Sequence, residues 1–179
     1  MDSISTLRNM IGGAKRIVFF GGAGVSTESG IPDFRSENGI FDAIKKFGYA
    51  PEVLLSHDFF MRHTDTFYAY YKSALLLSGV APNAAHLALA KLESAGKLTA
   101  VVTQNIDGLH QLAGSKNVYE LHGSTYRNTC MQCGKKYDAD YIRASDGVPQ
   151  CSACGGIVKP DVVLYGEGLD QAVIRGAIE

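Results

Sequence analysis

Residues 18–36 read VFFGGAGVSTESGIPDFRS. Three apolar residues, Val18 to Phe20, run into Gly21-Gly22-Ala23-Gly24, and hydroxyl, acid, proline, aromatic and guanidinium side chains follow. A short apolar run bounded by glycine reads as a buried strand entering a turn. Glycines after a strand let the backbone come close to a phosphate at the start of the next helix. A hydride-transferring dinucleotide enzyme would show Gly-x-Gly-x-x-Gly and an acid about twenty residues on, at the end of a second strand. Here Thr27 stands where the third glycine belongs, and Asp42, the nearest acid at that distance, lies in IFDAIKK, which is not a strand pattern. The glycines alone fit either a nucleotide loop or a plain tight turn. Asp33-Phe34-Arg35 adds to the first reading, because arginine can clamp a phosphate and a phenyl ring can cover a reactive carbon.

Outward from this stretch, strand and helix patterns alternate. SISTLRNMIGGA reads as a short helix ended by Gly12-Gly13, and KRIVFFGGAG as the strand. Residues 36–51 read as loop and short helix, and HDFFMRHTDTFYAYYKSALLL as one helix or two. NAAHLALAKLESAG is the clearest helix, with Leu87, Leu89, Ala90 and Leu92 as its apolar side. LTAVVTQN, NVYELHG and VKPDVVLYGEG read as strands, GLHQLAG and LDQAVIRGAIE as helices. Alternation of this kind implies a parallel α/β sheet, whose ligands sit at the carboxyl ends of its strands. Gly21–Ser26, Gln104–Asp107, His122 and Gly166-Glu167 all fall there.

With 179 residues, 46% of them hydrophobic and 20% charged, the chain has the composition of a globular domain. A net charge of -1 gives no basic field for nucleic acid. No apolar run approaches the roughly 18 residues of a bilayer span, and the N-terminus lacks a signal-peptide layout. A cytoplasmic protein with no direct nucleic-acid or membrane partner is expected. Cys130-x-x-Cys133 and Cys151-x-x-Cys154 form two knuckles separated by seventeen residues. That doubled spacing points to one structural zinc ion held by four thiolates, over a disulfide pair or a redox motif. The intervening GKKYDADYIRASDGVPQ is short of core-forming residues, so the module is expected to need its metal to fold.

GAGVSTESGIPDFRS together with TQNIDGLH, LHG, the doubled Cys-x-x-Cys and KPDVVLYGE resembles the sirtuin family of NAD-dependent protein-lysine deacylases. The likeness runs from residue 16 to about 168, in the family's order. It implies a Rossmann-like α/β fold with a zinc module inserted, and a loop that holds NAD while its nicotinamide bond breaks. By this resemblance Gly22, Ala23, Gly24, Ser26, Thr27, Asp33, Phe34, Arg35, Gln104, Asn105, Ile106 and Asp107 bind the cofactor. Among them, Asn105, Asp107 and the Ile106 backbone match the nicotinamide pocket. His122 matches the general base that removes a proton from the ribose diol, a task suited to a histidine near neutral pH. The products implied are free lysine, nicotinamide and O-acyl-ADP-ribose. Val162, Val163, Gly166 and Glu167 match the segment that pairs with the backbone of an acyl-lysine peptide. Family members that prefer succinyl or malonyl lysine carry Tyr-x-x-Arg on a helix lining the acyl pocket. In TFYAYYK, residues 66–72, Tyr68 takes the tyrosine's place and Tyr71 the arginine's, while Lys72 lies about 100° further around the helix. A pocket for neutral acyl groups is the expectation. His86 and His110 read as structural, and His57 and His63 carry no assigned role.

The resemblance assigns residues 1–125 and 157–179 to an NAD-binding domain, with 36–75 as a helical insertion and 126–156 as the zinc module. Family members normally continue through several more strands that hold the adenosine half of NAD. The chain is therefore expected to be C-terminally truncated relative to the family, with an incomplete sheet and an exposed edge. Beside the deacetylase stand two other readings, an inert zinc- and peptide-binding fragment and a protein ADP-ribosyltransferase.

Overall fold

The structure, a computed structural model, describes residues 2–32, 43–76 and 78–179. Strands β1 (Ile17–Gly21), β2 (Leu98–Thr103) and β3 (Val118–Glu120) form a parallel sheet in that order. Gly21 pairs with Thr103 and Thr103 with Glu120, so the three strands end level with one another. Everything that follows these residues emerges on one edge. β1 is one of the two outer strands among the described residues, and its Val18 and Phe20 are exposed.

Helix α1 (Ser3–Gly13) precedes the sheet. Asp2 caps its start by accepting the Ile4 amide at 2.9 Å, and Lys97 closes its end by donating to the Ile11 and Gly12 carbonyls. After β1 the chain makes a 3-10 turn, Ala23–Ser29, that stops at Gly30 in the left-handed conformation, φ 85°.

Residues 43–47 are helical, and α2 (Pro51–Leu54), α3 (His57–Arg62) and α4 (Thr64–Ala74) follow. The long apolar stretch is thus two helices, broken at His63, and Ser56 caps the first by accepting the Phe59 amide. Helix α5 (Ala84–Ser94) opens on a capping box, with Asn83 accepting the Ala85 and His86 amides while the His86 ring accepts the Asn83 amide. Of the expected apolar side Ala90 is buried and Leu89 and Leu92 are half-buried, while Leu87 is exposed and His86 is buried in its place. Helix α6 (Leu109–Leu112) leads to β3.

A second sheet follows: β4 (Gly123–Cys130), β5 (Lys136–Tyr137) and β6 (Val158–Val162), antiparallel in the order β5-β4-β6. Helix α7 (Ala139–Ala144) lies between β5 and β6, and α8 (Gln171–Ile178) ends the chain. VKPDVVLYGEG, expected beside the parallel strands, belongs to this second sheet. The reason is chain direction. β4 leaves the parallel sheet at Gly123 and runs out to the first cysteine knuckle, and β6 returns from the second knuckle alongside it.

One buried core joins two of these parts. Leu54, Phe60, Phe67, Tyr68 and Tyr71 of the helices pack in one cluster with Ile142, Val158, Cys130 and Cys151 of the zinc-bearing module. The Phe67 and Tyr71 rings stack 5.5 Å apart, and the Tyr68 hydroxyl donates to the Val158 carbonyl. The module shares a core with α3 and α4, which its own composition does not reveal. Among the described residues, no helix is long and apolar enough to cross a membrane.

Candidate functional site

The level ends of β1, β2 and β3 bring three separated motifs together. Ser26, buried in the turn after β1, donates to Asp107 Oδ2 at 2.7 Å and accepts from Asn105 Nδ2 at 3.0 Å. Asp107 Oδ1 accepts the Leu109 amide, which starts α6, and the Asn105 amide donates to the Thr103 hydroxyl. The result is an ordered acceptor–amide pair, Asp107 and Asn105, beside a glycine turn. The Ile106 carbonyl is occupied by the Thr125 amide and hydroxyl, both at 3.0 Å.

Gln104 ties the strand ends to the histidine. Its amide donates to the Gly21 carbonyl, and its own carbonyl lies 3.0 Å from His122 Nδ1. A carbonyl can only accept, so in the neutral ring Nδ1 carries the proton and Nε2 keeps its lone pair. That tautomer is the one a base needs. Gly123 sets the position of His122 from the other side. With φ 76° and the Asp161 carbonyl oxygen only 1.9 Å from where a Cβ would stand, no other residue fits. This lets Val163 donate to the His122 carbonyl at 2.9 Å.

The segment after β6 is held in a closed turn. The Glu167 amide donates to the Leu164 carbonyl, and Glu167 Oε2 accepts the Leu164 amide, both at 2.9 Å. Tyr165 pairs with the 55–57 segment, its amide donating to Leu55 and its carbonyl accepting from His57. His57 Nδ1 lies 2.8 Å from Glu167 Oε1, and Lys159 Nζ lies 3.2 Å from Oε2. Burial alone would raise the Glu167 carboxyl; the Leu164 amide, His57 and Lys159 together hold it below the usual range. Among the described residues, the Val163 carbonyl and both Gly166 backbone groups have no partner. His57 lies in no motif, and Lys159, the first residue of KPDVVLYGE, carried no assigned role in the sequence.

Of the remaining expected residues, Gly22, Ala23, Gly24 and Thr27 lie in the turn beside Ser26. Asp33, Phe34 and Arg35 lie outside the described residues. Tyr68 and Tyr71 are fully buried in the core shared with the zinc-bearing module, and no partner for the Tyr71 hydroxyl is found among the described residues. Lys72 does not point clear of them, although its helical position suggested that it would: its Nζ lies 5.9 Å from the Tyr68 ring centroid, and it donates to the Ser145 carbonyl and hydroxyl and the Gly147 carbonyl.

The four cysteines converge. All four sulfurs lie within 4.8 Å of one another, and none is in a disulfide. Tetrahedral zinc with bonds of about 2.3 Å needs sulfurs about 3.8 Å apart, so Cys130, Cys133, Cys151 and Cys154 fit a structural zinc ion. Donors already face the thiolates. The Tyr137 hydroxyl donates to Cys151 Sγ at 3.0 Å, the Cys133 amide to Cys130 and the Ala153 amide to Cys151. The Tyr137 hydroxyl is the main reason the Cys151 thiol is pulled down to about 6. A closed shell of four protein ligands leaves no position for a reactant.

His86 and His110 sit under the site as core residues, their rings 4.7 Å apart. Burial lowers both, His110 to about 4, with His86 adding to its shift and Asp107 opposing it. The unfolded chain therefore takes up these protons first. The contribution of these two groups should be constant above about pH 6.5, fall as pH drops from there towards 4, and level off below. Each group contributes at most about 1.4 kcal/mol per pH unit. Urea midpoints between pH 7.5 and 5 check this, and His110→Leu should flatten the slope.

A family model described as the Sir2 family matches residues 22–179. The NAD-dependent protein deacetylase of Clostridium acetobutylicum is 58% identical over 180 residues, covering 100% of this chain and 74% of that protein. That of Clostridium perfringens is 60% identical over 178 residues, covering 99% of this chain and 73% of that protein. Among solved structures, Sir2 with a p53 peptide and NAD+ superposes with a TM-score of 0.84 at 40% identity, covering 99% of this chain and 70% of that one. Sir2 bound to an acetylated peptide gives 0.81 at 37% identity, with 99% and 70% covered.

Proposed function

The chain belongs to the Sir2 family and is an NAD-dependent protein deacetylase, and we propose that the residues at the sheet's carboxyl edge divide its work as follows. Asn105 and Asp107 receive the nicotinamide carboxamide, which needs one donor and one acceptor; Ser26 and the Leu109 amide orient the acceptor. The Ile106 N–H is the third contact. Ala23 and Gly24 open a helical turn whose first N–H groups have no acceptor within it. Gly24 has no positive φ and nothing within 4 Å of the Cβ it lacks, so the described protein does not itself demand glycine there. A phosphate drawn against the backbone would. Gly22 and Thr27 shape the same turn, Gln104 faces a ribose hydroxyl, and Asp33, Phe34 and Arg35 complete the cofactor site.

NAD supplies a glycosidic bond whose cleavage leaves an electrophilic ribose carbon for the acyl oxygen. His122 takes the ribose hydroxyl proton on Nε2, and Gln104 holds Nδ1–H throughout. The observation that carries this reading is the His122 Nδ1 to Gln104 carbonyl contact of 3.0 Å, which aims the free nitrogen away from the strand. The substrate is an acyl-lysine peptide laid along Val162, Val163, Gly166 and Glu167, where the unpartnered Val163 and Gly166 groups supply main-chain hydrogen bonds. Four reduced cysteines suit a cytoplasmic location. The domain division at 126–156 follows the same reading.

The acyl pocket takes neutral groups. Helix α4 carries no arginine, and its one lysine, Lys72, is committed to Ser145 and Gly147. A carboxylate entering unpaired would be desolvated at a cost of several kcal/mol. Nicotinamide release tests the whole reading with one peptide in three forms: acetylated, succinylated and unmodified. Release should require the acetyl form and run at least about tenfold slower with the succinyl form. Release without peptide would replace deacetylation by transfer or hydrolysis, and faster succinyl turnover would refute the neutral pocket.

A further inference from the structure

The peptide segment proposed above does not hold its own shape. Between Leu164 and Glu167 the chain is closed by a single backbone bond, and Gly166 stands at φ 92°. The Glu167 side chain supplies the second closure by accepting the Leu164 amide. A glutamate has many rotamers, so something must hold it in this one. Two groups do so from opposite sides. Lys159, on β6, reaches Oε2 and also donates to the Pro160 and Val162 carbonyls. His57, the first residue of α3 and distant in sequence, holds Oε1 at 2.8 Å. The same residue also donates its backbone amide to the Tyr165 carbonyl at 3.0 Å. His57 therefore grips the turn twice, once through the main chain and once through the ring.

We propose that His57 is a positioning residue for the substrate peptide: through Glu167 it holds the 164–167 turn in the form that leaves the Val163 and Gly166 backbone groups open to a peptide strand. It rests on the peptide reading given above. The ring touches no reacting atom and acts only through Glu167. Lys159 and the Leu164 amide both hold Oε2, and among the described residues His57 is the partner of Oε1, so without it one side of the carboxylate is unheld. The backbone bond to Tyr165 survives any side-chain change at position 57, so a variant keeps the local fold and loses only the grip on Glu167.

The test uses a fluorescein-labelled acetyl-lysine peptide, with binding followed by polarisation and turnover by nicotinamide release. His57→Ala should raise the peptide Kd and KM about fivefold, the size expected of a half-exposed side-chain contact to a carboxylate, while kcat stays within about twofold. In the peptide-free protein the Leu164 amide should exchange with deuterium about fivefold faster. His57→Asn, which returns an N–H near the Nδ1 position, should restore both. A role that is merely structural would lower the thermal midpoint and kcat together and would not be rescued by asparagine. Wild-type peptide affinity in His57→Ala overturns the inference, as does asparagine behaving like alanine. Failure of the wild-type chain itself to bind the acetylated peptide overturns the peptide reading beneath it, which is a different result from wild-type binding that ignores position 57.

Discussion

His122→Ala is expected to lower peptide deacetylation by about a hundredfold to ten-thousandfold while leaving the fold standing. The geometry explains the size and the selectivity. The ring is held through Nδ1 by the Gln104 carbonyl, so Nε2 is the only ring nitrogen left to take a proton. Alanine removes that base and leaves the backbone bond from Val163 to the residue 122 carbonyl in place. The site therefore loses proton transfer and keeps its shape. Turnover should fall with little change in the affinity for an acetylated peptide, because the 164–167 turn proposed to receive it is held by Glu167, Lys159 and His57, none of which uses the ring of His122. His122→Asn distinguishes orientation from basicity: it keeps an N–H near the Gln104 carbonyl and has no basic nitrogen, so it should be as inactive as alanine. Near-native turnover in either variant would remove His122 from the mechanism.

Metal removal is the second large effect. Purified protein should carry one zinc ion per chain, and either chelation or Cys133→Ser should release it. The damage should not stop at the module. Cys130, Cys151, Val158 and Ile142 belong to the same core as Phe60, Phe67, Tyr68 and Tyr71, so helices α3 and α4 lose their packing partner when the knuckles open. The thermal midpoint should drop by roughly 10 °C or more, and the near-ultraviolet signal of the buried tyrosines should weaken with it. Measuring zinc release with a colorimetric chelator alongside the tyrosine signal checks the coupling: both should change together. Zinc-free protein with four free thiols and an unchanged midpoint would show that the metal does not hold this core. A disulfide across the knuckles would show the same.

The division between what was legible in the chain and what was not follows the range of the interactions. Glycine punctuation, the helix start at Asn83 and the two Cys-x-x-Cys knuckles act over a few residues, so spacing alone reveals them. Strand endings are equally local, and they place the glycine turn and residues 104–107 at the carboxyl ends of strands. The pairing of those ends is not local. Ser26 meets Asp107 across 81 positions, and His57 meets Glu167 across 110. Nothing in periodicity distinguishes His57 from His63, one of which holds Glu167 in the 164–167 turn while the other stands between two helices with its ring against Phe59. The sheet to which residues 158–162 belong was likewise undecidable, since a half-buried strand has the same alternation whether its neighbour runs parallel or antiparallel. Tyr68 and Tyr71 make the point most sharply. Sequence by itself determined that position 71 holds a hydroxyl and no cation; only the tertiary packing put both rings against the cysteine-bearing sheet, because a helix shows which residues share a face and leaves open what that face will meet.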